Sequence, residues 1–174
     1  ATYKSNTFQK SLIFLASCGY AFPGTILAVG VVVFVGWLNN IFYFHISYFI
    51  GGFIVLIFAY TLRFLAIGNG SIRSGITRIN PNLIEASRTM GRSFFTTMKK
   101  IILPLTYTNI LVGGILVFVD ILKELPITLL LRPFNFETLA TYVYQYSSDE
   151  MLEESSFAAL IIVLAGLGPV IFLS

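Results

Sequence analysis

The sequence contains one long interval without a formal charge. No Asp, Glu, Lys or Arg occurs between Lys10 and Arg63. Since a helix that crosses the hydrocarbon core of a bilayer needs about 20 apolar residues, this interval is long enough for two crossings and a turn. The 174-residue chain is 56% hydrophobic and only 11% charged, with a mean hydropathy of +0.85. Soluble domains carry about 25% charged residues, so we expect an integral membrane protein.

Four hydrophobic segments predict about four membrane-spanning helices, at residues 12–38, 46–67, 101–122 and from 157 to the C-terminus. The sequence has no strand-like alternation long enough for a barrel, and backbone groups in lipid must be paired internally, so an all-α fold is expected. The stretch "GYAFPG" (19–24) should bend or restart the first helix. Glycine pairs at 51–52 and 113–114 provide small surfaces where two helices can approach closely. A soluble helical bundle would need more polar faces than this chain has.

Basic and acidic residues are segregated along the chain. Of the 11 basic residues, all except Lys123 and Arg132 lie in the N-terminal tail or in region 63–100, where Glu85 is the only one of the 8 acidic residues. Basic residues favour the cytoplasmic side of a membrane. This predicts a cytoplasmic N-terminus and a cytoplasmic loop at 69–100, with much of the acidic region 123–156 outside. An interfacial belt of aromatic side chains is expected on that outer side: Trp37, Tyr43, Tyr48, Tyr142, Tyr144 and Tyr146.

The cytoplasmic loop contains signals for two short helices. Asn80 is a plausible N-cap, Pro81 suits the first helical position, and Gly91 comes just past the end of the helix. A second helix, "RSFFTTMKKIIL" (92–103), leads into Pro104 and the third span. We therefore expect two short helices that meet at Gly91.

One side of the first loop helix carries a small apolar patch. Such a patch can lie on anionic lipid or dock into another protein. The carboxylate of Glu85 is unfavourable next to anionic headgroups, and a surface helix on lipid does not need a hinge at Gly91, so docking into a protein is favoured. The residues that share this side are Leu83, Ile84, Ser87 and Met90, with Ala86 beside them.

The loop resembles the cytoplasmic signature of membrane permease subunits of ABC importers. That signature is Glu-Ala-small, three residues, Gly, nine residues, and Ile-x-Leu-Pro. Ser87 stands where the family more often has a second alanine. Two other stretches, "GYAFPGTILAVG" (19–30) and "KELPITLLLRPFNFETLATYVYQY" (123–146), resemble the second half of ferric-iron-type permeases, and the likeness covers nearly the whole chain. The matching loop positions are Glu85, Ala86, Ser87, Gly91, Ile101, Leu103 and Pro104.

This resemblance implies a type I ABC importer transmembrane domain in the bacterial inner membrane, with residues 1–174 forming part of one such domain. The start without methionine suggests a fragment that lacks its earliest span or spans and the other permease half. The resemblance implies that segment 85–91 is a coupling helix seated in a cytoplasmic ATPase dimer, and that a periplasmic binding protein delivers the substrate. It also implies that this chain is not an enzyme and holds no cofactor of its own. Since the sequence has no Gly-x-x-x-x-Gly-Lys-Ser/Thr motif, ATP and Mg²⁺ are expected on the partner ATPase.

Three charged residues near the expected outer end of the third span, Asp120, Lys123 and Glu124, are candidates for the translocation pathway or a gate, because charges at membrane depth are costly. A local ion pair at the interface is the simpler interpretation.

A second group of acidic residues could attract a basic docking surface or a cation, although a solvated outer loop is the simpler account. That group is Asp149, Glu150, Glu153 and Glu154.

Cys18 is the single cysteine and His45 the single histidine, which argues against a disulfide within the chain and against a Cys/His metal site.

The positions of the basic residues along the chain are those expected of a membrane protein, so nucleic acid is not an expected partner. Paired catalytic carboxylates or Ser/His groups are missing from the spans, which argues against an intramembrane enzyme. The resemblance to ferric-iron-type permeases makes ferric iron the expected substrate. One alternative is import of a polyamine, a phosphonate or thiamine by the same machinery. Another is a channel or a membrane anchor without a motor.

Overall fold

A computed structural model of the protein describes residues 7–42 and 52–173, and in these ranges the regular secondary structure is helical. Short non-α turns interrupt the order of helices, a 3₁₀ turn at Gly19–Ala21 and a π turn at Met98–Ile102. The α-helices, numbered in chain order, are α1 Thr7–Cys18, α2 Gly24–Phe42, α3 Phe53–Thr77, α4 Pro81–Thr89, α5 Phe94–Thr97, α6 Leu103–Leu122, α7 Pro126–Leu131, α8 Leu139–Ser148 and α9 Leu152–Leu173.

Four helical segments of the described chain are long and apolar enough to cross a membrane, which confirms the predicted number. They are Gly24–Ile41, Phe53–Thr77, Phe94–Leu122 and Leu152–Pro169. The largest difference is in the second segment, where α3 continues to Thr77 although the sequence predicts its end near residue 67. The glycine- and serine-rich stretch 68–75 looks like a loop in the sequence, but it forms the surface on which α6 packs. The predicted start of this segment at Ile46 lies outside the described residues.

The first predicted hydrophobic segment, 12–38, is interrupted at the predicted position. α1 ends at Cys18, a 3₁₀ turn follows, and α2 begins at Gly24 directly after Pro23. Proline supplies no backbone N–H and favours the first turn of a helix, so it restarts the helix here. A Cβ atom at Gly19 would lie 1.9 Å from the Leu62 carbonyl oxygen, so only glycine allows this close approach of the turn to α3.

α3 and α6 form the most extensive helix pair and run antiparallel. The buried Gly113 lets Ser71 approach, since a Cβ atom there would lie 2.8 Å from the Ser71 Cβ. The Ser71 hydroxyl donates to the Asn109 carbonyl at 2.7 Å. Gly113 therefore has the packing role that the sequence predicts for the 113–114 pair. Of the other predicted pair, Gly52 is the N-cap of α3, while residue 51 lies outside the described residues.

The short helix α7 completes the apolar core together with α2 and α3. α6 ends at Leu122, and the chain turns at Lys123 before α7 starts at Pro126. The sequence predicts that much of region 123–156 lies outside the membrane, whereas the part that forms α7 is buried between two spanning helices. The core residues are Ala28, Val31, Val35, Val55, Leu56, Ala59, Ile127 and Leu131.

Beyond α7, the chain forms a helical hairpin. The side chain of Thr138 caps α8 by accepting from the Thr141 backbone N–H at 3.3 Å. α8 packs along the first part of α9, and α9 then returns along α6, with Gly166 close to Val119. Most apolar side chains of α2 and α9 face outward, as expected of helices that contact lipid or further transmembrane segments.

Candidate functional site: the cytoplasmic loop and a buried ion pair

The first loop helix, α4, begins and ends where the sequence predicts. Asn80 is its N-cap and accepts from the Asn82 backbone N–H at 3.0 Å, and Pro81 occupies the first helical position. Helix α4 is followed by Gly91 with φ +73°, a left-handed conformation that glycine adopts without a steric penalty. The turn between the two loop helices is therefore fixed by local sequence.

The second loop helix is continuous with the third crossing. Ser93 caps α5 by accepting from the Thr96 backbone N–H at 3.3 Å, and the chain then passes through the π turn Met98–Ile102 directly into α6. The sequence predicts that this loop helix leads into Pro104 and the third span, and Pro104 lies in the first turn of α6. A proline at this position needs no backbone hydrogen bond of its own, and the wider π turn before it accommodates the proline ring.

The loop presents an exposed, partly apolar surface. Leu83 and Met90 are exposed on α4, and so are Glu85 and Ala86. Two adjacent phenylalanines at the start of α5, Phe94 and Phe95, are also exposed, over 64% and 82% of their areas. These rings were not predicted as part of a docking surface, although their position next to the Gly91 turn was an available signal.

Ser87 does not belong to that exposed surface. It is fully buried, and its hydroxyl lies 2.8 Å from the hydroxyl of the equally buried Thr97 on α5. Thr97 donates to the Ser93 carbonyl at 3.1 Å, so its oxygen is free to accept and Ser87 is the donor. The sequence places Ser87 on one side of α4 with Leu83, Ile84 and Met90, but α5 packs against that position, so the Ser87 side chain is not exposed there.

The remaining motif residues lie on the membrane side of the loop. Ile101 is half-buried in the π turn, and Leu103 and Pro104 are exposed at the start of α6. The two parts of the motif are connected through α5 and the Ser87–Thr97 contact. The motif therefore consists of a first part on α4 and the turn after it, residues 85–91, and a second part that begins the third crossing.

The charged group after α6 divides into two ion pairs. Lys123 Nζ lies 2.7 Å from Asp120 Oδ1, and 64% of the lysine side chain is exposed, so the expected local pair is confirmed for these two residues. Glu124 is only 8% exposed and pairs with Arg63 instead, with 3.3 Å between Arg63 Nε and Glu124 Oε2. The Nε–H is not aligned for a hydrogen bond, so this contact is an ion pair by distance.

This contact changes the expected position of Arg63. The charge pattern groups Arg63 with the cytoplasmic loop and places Glu124 near the outer end of the third span. In the fold, Arg63 lies ten residues after the start of α3 at Phe53 and fourteen before its end at Thr77, well inside a helix long and apolar enough to cross a membrane. Glu124 follows the end of α6 at Leu122, so the pair joins the middle of α3 to the end of α6.

The hairpin of α8 and α9 contains some of the aromatic residues that are expected at a membrane interface. The Tyr142 and Tyr146 rings lie 4.3 Å apart, and the hydrogen bond between their hydroxyls raises the pKa of Tyr142 above its ordinary value. Trp37 stacks on Phe34 and is exposed. Tyr43 and Tyr48 lie outside the described residues, and so does His45.

The acidic residues of the hairpin have local structural positions. Asp149 caps the C-terminus of α8, and Glu153 and Glu154 lie in the first turn of α9, where carboxylates interact favourably with the helix dipole. Across residues 7–42 and 52–173, no three His, Cys, Asp or Glu side chains are grouped so that they could hold a metal ion.

Comparison with known proteins agrees with this arrangement. A permease of Haemophilus influenzae, "Fe(3+)-transport system permease protein FbpB 2", is 26% identical over 155 residues, which cover 88% of this chain and 29% of the relative. The chain thus spans less than a third of the length of that relative. The family model of the binding-protein-dependent transport system inner membrane component matches residues 1–174. The chain therefore belongs to this family of bacterial multi-pass inner membrane permeases.

Proposed function

We propose that this chain forms part of the translocation pathway of an ABC importer that carries ferric iron into the cell. One observation carries the motor-driven part of the proposal: a short capped helix, a glycine turn and two exposed phenylalanines lie between two membrane crossings. Iron as the substrate rests on the similarity to the Haemophilus influenzae permease, whose name specifies Fe(3+) transport.

In this proposal, α4 is the coupling helix. Leu83, Met90, Phe94 and Phe95 enter an apolar groove of a cytoplasmic ATPase dimer, and Glu85 contacts a polar group at the rim of that groove. A buried, charge-assisted hydrogen bond of this kind contributes about 1.5–3 kcal/mol. Ile101, Leu103 and Pro104 connect the docked loop to the third crossing, so that movement of the loop reaches the membrane.

The complete machine needs components beyond this chain. ATP and Mg²⁺ are bound by the ATPase, a periplasmic binding protein delivers the substrate, and a second permease half, covalently attached or separate, closes the pathway. Asp120 and Lys123 are candidates for the pathway wall, because the Lys123 side chain is exposed and directly precedes Glu124 of the Arg63–Glu124 pair. This chain contributes no catalytic group.

Two other functions are considered. Import of another small solute, such as a polyamine, a phosphonate or thiamine, would use the same loop and differ in the pathway. A channel or a membrane anchor without a motor would not need the exposed aromatic surface of α5 next to a capped helix.

Charge reversal at Glu85 tests the coupling assignment. In the full-length transporter, Glu85→Lys should reduce the amount of ATPase subunit that co-purifies with the permease by at least fivefold, while the permease inserts into the membrane at the normal level. Glu153→Lys reverses an exposed carboxylate on the hairpin of α8 and α9 and serves as the matched control, with normal ATPase retention expected. Normal retention and normal uptake in Glu85→Lys would contradict the coupling role of α4.

A further inference from the structure

Two turns between helices meet at Arg63. The first is the 3₁₀ turn Gly19–Ala21 with Phe22 and Pro23, which joins α1 to α2, and Gly19 contacts α3 at Leu62. The second is the turn between α6 and α7, from which Glu124 reaches Arg63. α3 contacts both turns and is itself a continuous helix.

The guanidinium of Arg63 binds both turns at once. Its Nη1 donates to the Phe22 carbonyl at 3.3 Å, and its Nε lies 3.3 Å from Glu124 Oε2. Only 18% of the arginine side chain is exposed. A Cβ atom at Gly24 would lie 2.7 Å from Arg63 Nη1 and 2.8 Å from Glu124 Oε1, so the absence of a side chain at Gly24 leaves the space that the pair occupies.

Glu124 in turn fixes the start of α7. Its Oε1 accepts from the Ile127 backbone N–H at 3.3 Å, and its own carbonyl accepts from the Thr128 hydroxyl at 2.7 Å. The Thr128 hydroxyl also contacts the hydroxyl of Tyr60, which is one turn from Arg63 on α3. The N-terminus of α7 is therefore attached to α3 at two successive turns.

Stability alone does not account for these charges. Replacement of a buried ion pair by apolar side chains of similar volume is often neutral or even stabilising, and ionisable groups at membrane depth are costly. What the pair provides is a fixed geometry, because one planar cation donates to a carbonyl in the turn before α2 and pairs with a carboxylate in the turn before α7.

The same helix leads to the cytoplasmic loop. α3 continues without a break from Arg63 to Thr77, and Asn80 then caps α4. A displacement of α4 can reach Arg63 through this single rigid element, without passing through either of the two turns.

We propose that Arg63 and Glu124 are positioning residues that make both turns move together with α3, so that a displacement of the coupling helix reaches the ends of α2 and α6 that these turns hold. This inference rests on the proposed function of the chain as an ATP-driven permease. It adds a mechanical connection between the loop that carries α4 and the two turns.

The test uses the full-length transporter with its ATPase and binding protein, reconstituted in vesicles. The measured quantity is the number of substrate ions transported per ATP hydrolysed. The double variant Arg63→Met with Glu124→Leu keeps the side-chain volume and leaves no buried charge unpaired. We expect it to retain the ATPase and to hydrolyse ATP, with the transport ratio lowered at least tenfold. Arg63→Lys keeps the cation and one of the two contacts, so it should recover part of the ratio.

The control variant removes a different ion pair, Arg132–Glu137, which lies between α7 and α8. Arg132→Gln with Glu137→Gln should leave the transport ratio unchanged. A ratio within twofold of wild type in the Arg63–Glu124 double variant would overturn the proposal. Loss of assembly both in that variant and in Arg63→Lys would also overturn it, because the pair would then serve only to hold the fold. Failure of the proposed function is a separate result, since the wild-type transporter itself would then show no ATP-dependent iron uptake.

Discussion

Ser87 Oγ lies 2.8 Å from Thr97 Oγ1, and the two buried hydroxyls join the helices on either side of the Gly91 turn. Ser87 departs from the loop signature, which more often has alanine at this position. The angle between α4 and α5 is thus held by a hydrogen bond as well as by the backbone of the turn. A loop that transmits force needs such a fixed angle between its two helices.

Removal of the two hydroxyls should have unequal effects. Thr97→Val leaves the Ser87 hydroxyl buried without its acceptor and should cost about 1–3 kcal/mol of local stability, whereas Ser87→Ala removes the donor and should cost about 1 kcal/mol or less. Hydrogen exchange of the α4 amides in the assembled transporter measures this difference. The double variant should exchange more slowly than the sum of the two single effects predicts. Faster exchange in Ser87→Ala than in Thr97→Val would contradict the assigned donor.

Substitution of Gly91 should act through the backbone alone. A Cβ atom at this position would meet no other atom within 4 Å, and the φ of +73° is the only obstacle to a side chain. Gly91→Val should therefore cost more than about 1 kcal/mol and misdirect α5, while Gly91→Asn, which tolerates the left-handed region, should be milder. Iron uptake and ATPase retention are measured together. Equal activity of the Val and Asn variants would show that the turn does not need this conformation.

The exposed phenylalanines of α5 should bind the ATPase. Phe95→Ser removes the more exposed ring and should lower ATPase retention several-fold without changing membrane insertion. Phe134→Ser is the matched control, since Phe134 is 99% exposed but lies between α7 and α8. Equal losses of retention in both variants would mean that exposed aromatic area, and not the position next to the coupling helix, determines the result.

The sequence predicted the features that local signals control. Asn80, Pro81 and Gly91 set the ends of α4 through capping and backbone conformation, and apolar length set the number of crossings. These signals act within a few residues, so no knowledge of the tertiary fold was needed.

Contacts between distant segments could not be predicted in this way. Arg63 looked like the first basic residue of the loop, and only the antiparallel packing of α3 on α6 brings it to Glu124. Ser87 looked exposed because the helical pattern places it with Leu83, whereas the direction of α5 decides which side of α4 is covered. The small residues near Gly75 looked like a loop, because their function as a packing surface depends on Asn109 of α6.

The predicted orientation in the membrane can be tested by labelling. Cysteines placed at Ser74 and Ser147, in a variant with Cys18→Ala, should react with an impermeant thiol reagent from opposite sides of intact vesicles, with Ser74 on the cytoplasmic side. The physical reason is the concentration of basic residues around the loop. Labelling of both positions from one side would show that the charge pattern gives the wrong orientation.

ATP-dependent iron uptake by the complete transporter tests the central claim most directly. The full-length permease, its ATPase and a periplasmic binding protein are reconstituted in vesicles, and uptake is measured with the binding protein loaded with ferric iron or, for comparison, with a polyamine-binding protein loaded with polyamine. The account predicts iron accumulation that requires both ATP and the iron-loaded protein, with no response to the polyamine-loaded one. ATPase stimulation and uptake with the polyamine-loaded protein, and none with the iron-loaded protein, would contradict it.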